Sequence, residues 1–146
     1  MQTFLPYPSF EESAKCLDWR RLGKQRAEAR QILNAVEERT LSWRNHPAIS
    51  MWKEYKYALI EYSNIMIAEW IKRGYNNNMK ILEIENTIVY PFWLGDNDFH
   101  AAHRSNLLRK NKDWYSQFGW TEPDNLPYIW PVKVNYKEQN ILSKIF

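Results

Sequence analysis

The chain has 146 residues, a formal net charge of +3 and 45 % hydrophobic residues, which is enough to build one domain around a real core. Eight tryptophans exclude a disordered chain, and the single cysteine excludes an internal disulfide and a multi-cysteine metal site. The sequence has no charged-then-apolar leader and no run of 18 apolar residues, so we expect an intracellular, soluble protein.

The beginning of the chain predicts a packed extended segment and then a short helix. Residues 1–8 are apolar and contain two prolines, which keep the backbone extended. Ser9 is followed three residues later by Glu12, the pattern of a capping box that opens a helix. We therefore expect a helix of about two turns that begins after Ser9.

The next segment predicts a basic helix that extends to about Arg39. Its apolar residues Leu22, Ala29 and Leu33 fall on one side at 3.6 residues per turn. Five basic residues and the single acid Glu28 lie between positions 20 and 30, and the five are Arg20, Arg21, Lys24, Arg26 and Arg30. This face suits a polyanion, although it also fits a solvated surface on which Lys24 and Glu28 form an i,i+4 pair.

Apolar residues at spacings of three and four predict a long central core helix from Pro47 to Arg73, followed by Gly74. The pattern in residues 75–91 fits either a short helix or an irregular connection. A third helix is expected over residues 99–110, with Asn97 or Asp98 as N-cap. An irregular, aromatic-rich wrap follows. The sequence thus predicts an all-α, compact single domain over residues 1–146, with residues 132–146 as a C-terminal extension.

Three short patches place basic residues beside aromatic ones, which is a pattern typical of nucleic-acid binding. They are Trp19-Arg20-Arg21, Trp43-Arg44-Asn45-His46, and Arg109-Lys110 with Trp114-Tyr115. Basic side chains bind the phosphates of a nucleic acid, and aromatic rings stack on nucleotide bases that have left the double helix. The alternative for each patch is that the aromatic residues belong to the core and the basic side chains are solvated.

Other chemistries have weaker sequence support. His46, His100 and His103 could form a metal triad, but no Glu-x-x-His pattern or cysteine near them supports one, and we expect no metal and no cofactor. For His100 and His103 the other interpretation is a structural role near a helix N-terminus. A Cys16–His–Asn hydrolase is a further alternative, although a lone cysteine on an apolar helix face is ordinarily a core residue.

Three passages are informative by their order and spacing, namely the basic stretch 20–30, Glu69-Trp-Ile-Lys-Arg-Gly-Tyr-Asn76 and Asp113-Trp-Tyr-Ser-Gln-Phe-Gly119. They resemble the pyrimidine-dimer DNA glycosylase family, the phage-type endonuclease V. Residues 1–6, Trp43-Arg-Asn-His-Pro-Ala48 and Phe99-His-Ala-Ala-His-Arg104 look closer to a bacterial branch of that family. The resemblance implies a compact all-α fold without metal and a combined glycosylase and AP-lyase activity. It also implies an α-amine that attacks the sugar C1′ and forms an imine.

An α-amine suits this attack because its reference pKa is about 7.7–8.0, against about 10.4 for lysine, which leaves roughly 300-fold more free amine at neutral pH. In the family the amine follows removal of the initiator methionine before a small residue. Gln2 is large, so the candidate amine here is that of Met1. The position aligned with the family's catalytic glutamate holds Arg21, so Glu28 or Asp18 would have to substitute for it. If neither does, the mechanism is different or the lyase step is absent. Lys24 is an alternative nucleophile.

We therefore expect a base-excision DNA glycosylase, with AP-lyase activity, that acts as a monomer on duplex DNA carrying a pyrimidine dimer or another damaged base. It would work inside the cell, at the nucleoid or in a virus-infected cell. The catalytic candidates are Met1, Glu28 and Lys24. The DNA-binding candidates are Arg20, Arg21, Arg26, Arg44, Asn45, His46, His100, His103, Arg104, Lys110, Trp114 and Tyr115. The alternative is a non-catalytic helical protein that binds DNA or a protein partner and keeps the fold.

Overall fold

The structure is a computed structural model that describes residues 1–38 and 45–131. These ranges hold six α-helices, one 3-10 turn and no β-strand, which confirms the predicted all-α class. The helices are α1 (Phe10–Cys16), α2 (Trp19–Val36), α3 (Pro47–Ser50), α4 (Lys56–Lys72), α5 (Asn97–Lys110) and α6 (Lys112–Tyr115), and the 3-10 turn is Ser116–Phe118. None of these helices has the length and apolar character needed to cross a membrane. The predicted extension at 132–146 lies outside the described residues.

Residues 1–8, here called the N-terminal arm, pack against side chains from three long helices. The backbone N–H of Phe4 donates to Gln25 on α2 at 2.9 Å, and the Phe4 carbonyl accepts from Tyr62 on α4 at 2.8 Å. The Leu5 N–H donates to Nδ1 of His103 on α5 at 2.8 Å. The arm is therefore packed, as predicted, although its backbone bends over residues 6–9. Ser9 caps α1 by accepting from the Glu12 N–H at 3.1 Å.

Helix α2 is continuous and ends at Val36, earlier than the predicted end near Arg39. Gly23 does not break it. A Cβ atom on Gly23 would lie 3.1 Å from the ring of Trp70, so the glycine allows α4 to approach α2 closely. The same Trp70 ring lies under the guanidinium of Arg26 at 4.2 Å.

The predicted core helix over 47–73 is wrong in one respect, because a turn divides it into α3 and α4. The Met51 carbonyl accepts from the indole N–H of Trp93 at 3.1 Å, and the Tyr55 N–H bonds to the Trp52 carbonyl. The Trp52 indole in turn donates to the Thr3 hydroxyl at 3.0 Å. The Tyr55 bond closes a local turn, and the two indole bonds are tertiary contacts. Together they hold residues 51–55 outside a helix, although the apolar pattern continues through these residues.

Residues 75–91 form an irregular connection with no helix or strand. Asn64 on α4 holds it through two bonds to the backbone of Leu82, at 2.8 and 3.0 Å. Helix α5 begins at Asn97, so its N-cap lies one residue before the first predicted cap, Asn97, and two before the second, Asp98. Asp96 is its N-cap, because the Asp96 carboxylate accepts from the N–H groups of Asp98 and Phe99.

We expect His103 to make the fold sensitive to acid. Burial lowers the pKa of His103 to about 3, and neighbouring His100 adds to the effect, whereas an unfolded histidine has a pKa near about 6.5. Below pH 6.5 the unfolded chain binds a proton that the folded protein does not. The free energy of unfolding should therefore fall by about 3–5 kcal/mol between pH 6.5 and 3 on account of this residue.

The variant His103→Asn tests this expectation, because its side-chain oxygen can still accept from the Leu5 N–H but cannot be protonated in this range. Urea unfolding at several pH values should show a flatter dependence for the variant between pH 6.5 and 3. An unchanged slope would mean that other groups cause the acid sensitivity.

Candidate functional site

A cavity of about 530 Å³ opens between the N-terminal arm, α2, the start of α3, the end of α5 and the C-terminal wrap. It brings together seven residues that the sequence singled out, namely Met1, Lys24, Glu28, Arg20, Arg21, His46 and Lys110. It also contains five that the sequence did not single out, namely Gln2, Phe4, Gln25, Tyr128 and Trp130. All three catalytic candidates thus line one cavity.

Glu28 is half-buried and is the only acid among the described residues that line the cavity. Its Oε2 accepts from the backbone N–H of Gln2 at 3.3 Å and from the side-chain amide of Gln25 at 3.1 Å. The α-amine of Met1 is one residue further back along the chain, so it lies within about 7 Å of the same carboxylate oxygen. The carboxylate is thereby held beside the beginning of the chain.

Gln25 connects the arm to this carboxylate. Its side chain is fully buried, and its Nε2 donates to the Gln2 carbonyl at 3.0 Å as well as to Glu28. Its Oε1 accepts from the Phe4 N–H at 2.9 Å and lies 2.6 Å from the hydroxyl of Tyr62. One amide therefore contacts the arm at two residues and Glu28 at a third point.

His46 caps α3 at the edge of the cavity. Its Nδ1 accepts from the Ala48 N–H at 3.0 Å, which places the ring proton on Nε2. Burial lowers the pKa of His46, and the positive charge of the Met1 α-amine adds to the effect. His46 is therefore neutral at pH 7, and the charge of the α-amine acts electrostatically on its ring.

The rim of the cavity is basic. Arg20 and Lys24 are exposed on α2, and Arg21 is held by the carboxylate of Asp18 at 3.2 Å. Burial lowers the pKa of Lys110, and the positive charges of Arg21, Arg109 and Lys24 lower it further. The cations are thus close enough to act on one another, which is the arrangement that a polyanion would neutralise.

Tyr128 and Trp130, which also line the cavity, form an aromatic wall. Their ring centroids are 5.7 Å apart, and the edge of His46 faces Trp130 at 5.6 Å. Burial raises the pKa of the Tyr128 hydroxyl. The sequence predicts only an irregular, rigid wrap in this region. The one sequence feature that could have indicated a binding site here is the pair of aromatic residues between Pro127 and Pro131.

His100 and His103 do not line the cavity, which corrects their expected place at the DNA surface. Both are buried, and they bind the carbonyl and the N–H of Leu5, respectively. His100 also accepts from the Gly95 N–H at 2.9 Å. Their observed role is the structural one that the sequence left open.

Other DNA-binding candidates have protein partners away from the cavity. Arg26 binds the side chain of Asn77 at 2.8 Å, and Arg104 binds Glu122 and the Pro6 carbonyl. Asn45 is exposed beside the cavity residue His46. Arg44 lies outside the described residues.

The two aromatic candidates near α6 differ in exposure. Tyr115 is fully buried, and its hydroxyl donates to the carboxylate of Asp18. Trp114 is 38 % exposed, and its indole N–H donates to the Cys16 carbonyl at 2.7 Å. Neither ring reaches the cavity, and Asp18 does not line it either, which leaves Glu28 as the better-placed acid.

The rival chemistries gain no support from the geometry. Cys16 is buried, and burial raises the pKa of its thiol to about 12, so it is not a ready nucleophile. Among residues 1–38 and 45–131, no group of three or more His, Cys, Asp or Glu side chains has the arrangement of a metal site.

Comparison with known families identifies the N-terminal part of the chain. A family model described as pyrimidine dimer DNA glycosylase matches residues 1–83, which is more than half of the chain. This range contains the arm, α1 to α4, and every catalytic candidate, whereas Lys110 and the aromatic wall lie beyond it. Searches of curated proteins and of solved structures found no significant match.

Proposed function

This chain belongs to the pyrimidine dimer DNA glycosylase family, and on that basis we propose that it excises a damaged base from duplex DNA and then cleaves the strand as an AP lyase. Membership of the family makes it a DNA glycosylase with DNA as its substrate. The observation that carries the finer proposal is the meeting of the chain's first residues with Glu28 in one basic cavity.

The nucleophile of the proposed reaction is the α-amine of Met1. Its lone pair forms a bond to C1′ of the sugar, and the glycosidic bond breaks, with its electron pair and a proton going to the departing base. Opening of the C1′–O4′ bond then produces a protonated imine and a hydroxyl at C4′. Loss of a proton from C2′ breaks the bond to the 3′ phosphate, which leaves with the electron pair.

Glu28 supports this sequence in two ways. Its negative charge stabilises the cationic sugar and the protonated imine, since a partly buried carboxylate acts more strongly than one in bulk water. It also transfers protons during formation and breakdown of the imine. Lys24 is the second candidate for the amine, one turn from Glu28 on the same helix.

The cavity fits an extruded nucleotide better than a base stacked in the duplex. Its volume of about 530 Å³ can contain a sugar and a base, and its aromatic wall offers Tyr128 and Trp130 for stacking. Arg20, Arg21 and Lys110 would bind the flanking phosphates. We propose that the protein acts as a monomer on a pyrimidine dimer or a similar lesion, and that residues 1–146 form one domain.

Borohydride trapping tests the proposed function. The protein is incubated with duplexes that carry an abasic site, a pyrimidine dimer or an intact sequence, and any imine is reduced to a stable amine. We expect a covalent adduct on the abasic and lesion-bearing duplexes, and a peptide map that places it at Met1. Tight, salt-sensitive binding without any adduct would indicate a binding protein or a glycosylase that uses water.

Replacing Arg20 by glutamine should weaken DNA binding without abolishing it. Loss of one phosphate contact should raise the Kd about 3- to 10-fold and reduce the slope of log K against log salt by about 1. Fluorescence anisotropy over a salt series measures both quantities. The variant Lys53→Gln removes an exposed basic side chain outside the cavity and should change neither the Kd nor the salt slope. Equal effects of the two variants would place the DNA elsewhere.

A further inference from the structure

We propose that Gln25 is a positioning residue that sets the distance between Glu28 and the amine at the beginning of the chain. This inference rests on the proposed function, in which these two groups act together. The family resemblance assigns no role to Gln25. Its side chain touches the arm and the carboxylate at once.

The four contacts use the full hydrogen-bonding capacity of one amide. Nε2 has two protons and donates them to the Gln2 carbonyl at 3.0 Å and to Glu28 at 3.1 Å. Oε1 has two lone pairs and accepts from the Phe4 N–H at 2.9 Å and from the Tyr62 hydroxyl at 2.6 Å, whose single proton it shares with the Phe4 carbonyl at 2.8 Å. Since a backbone N–H can only donate and a carbonyl can only accept, the orientation of the amide is determined.

No other side chain reproduces this set of bonds at the same length. Glutamate accepts but does not donate in its charged form, and it would place a second negative charge about 3 Å from Glu28. Asparagine keeps the amide but is one methylene shorter, so it withdraws the donors by about 1.5 Å. Aliphatic residues leave the Phe4 N–H and the Gln2 carbonyl unpaired in the interior.

The position of Gln25 on α2 explains why it controls geometry. It lies three residues before Glu28, so the two side chains share a helix face. The bonds to Gln2 and Phe4 attach the arm to that same face. Without the bond from Gln25, Glu28 can rotate toward Lys24, its i,i+4 neighbour. A displacement of about 1 Å between reacting groups can lower a rate about 100-fold.

The test compares Gln25→Glu with Tyr62→Phe, which removes the hydroxyl shared by the same amide and the Phe4 carbonyl but leaves the bonds from Gln25 to Gln2 and Glu28 intact. Single-turnover trapping on an abasic duplex measures the rate of imine formation, anisotropy measures the Kd, and urea unfolding measures stability. We expect Gln25→Glu to slow trapping about 10- to 100-fold with the Kd within about 3-fold. Tyr62→Phe should lose stability but keep the rate within about 3-fold.

A second variant covers the case in which Gln25→Glu does not fold. Gln25→Asn preserves the amide and its neutrality, and we expect it also to slow trapping about 10-fold or more because its donors are withdrawn. If Gln25→Glu or Gln25→Asn folds and is trapped at the unmodified rate, the proposed role of Gln25 is overturned, whereas the proposed function is not. Equal losses for Gln25→Glu and Tyr62→Phe, in proportion to stability, also overturn it. Absence of any adduct with the unmodified protein overturns the proposed function and this role with it.

Discussion

Replacing Glu28 by glutamine should lower the rate of imine formation and strand cleavage at an abasic site by about 10²- to 10⁴-fold. The new amide keeps an oxygen for the N–H groups of Gln2 and Gln25, so the fold and the shape of the cavity should persist. It carries no charge and transfers no proton, so both contributions of the carboxylate to the reaction are lost. Single-turnover cleavage of an abasic duplex at pH 7 measures the effect.

The matched control is Glu12→Gln, since Glu12 is exposed on α1 and pairs only with Lys15 at 3.8 Å among the ion pairs of the described residues. It should cleave at the unmodified rate. DNA binding by Glu28→Gln should be equal or tighter, because one negative charge has left a basic cavity. If Glu28→Gln cleaved as fast as the unmodified protein, another group would have to supply the carboxylate, and buried Asp18 would be the next candidate.

Reductive dimethylation of the Met1 α-amine should abolish borohydride trapping, with a loss of at least about 10³-fold in cleavage. A tertiary amine has no proton to lose and cannot form an imine. The modification can be directed to this amine by working near pH 6, because a typical α-amine has roughly 300-fold more free base than lysine. Mass spectrometry of the peptide that contains Met1 verifies the site, and trapping on an abasic duplex measures the result.

The variant Lys24→Gln distinguishes the two candidate amines in the cavity. It should bind DNA more weakly through the loss of one cation, but it should still be trapped at Met1. Trapping that survives dimethylation and disappears in Lys24→Gln would move the nucleophile onto α2. Both amines lie near the same carboxylate, so this exchange would leave the proposed role of Glu28 unchanged.

Several features of the site could be predicted because they depend on local pattern. The spacing of apolar and charged residues placed Arg20, Arg21, Lys24 and Glu28 on one side of α2, and four of the cavity residues are indeed these. The N-cap at Ser9 depends on residues three apart, and the Ser9 hydroxyl accepts from the Glu12 N–H as expected. The family resemblance also depended on short passages in order, and the match over residues 1–83 supports it.

Other features could not be predicted because distant contacts decided them. The apolar spacing continued through 51–55, but the indole of Trp93 takes the Met51 carbonyl and ends the helix there. His100 and His103 have the spacing of a surface pair, but the N-terminal arm covers them. Burial then keeps His103 neutral, an effect that no local pattern contains.

The sequence by itself determined the helical class, the basic face of α2 and its single acid, because helix periodicity and charge are properties of neighbouring residues. Only the tertiary structure decided that this acid faces the beginning of the chain and that Tyr128 and Trp130 complete the cavity. These contacts join residues 26 or more positions apart, through a part-buried hydrogen bond for Glu28 and through ring packing for Trp130. Such contacts form because buried polar groups need hydrogen-bond partners, which come from distant parts of the chain. The Gln25 amide is such a partner for the arm, and in the proposed reaction it also positions Glu28.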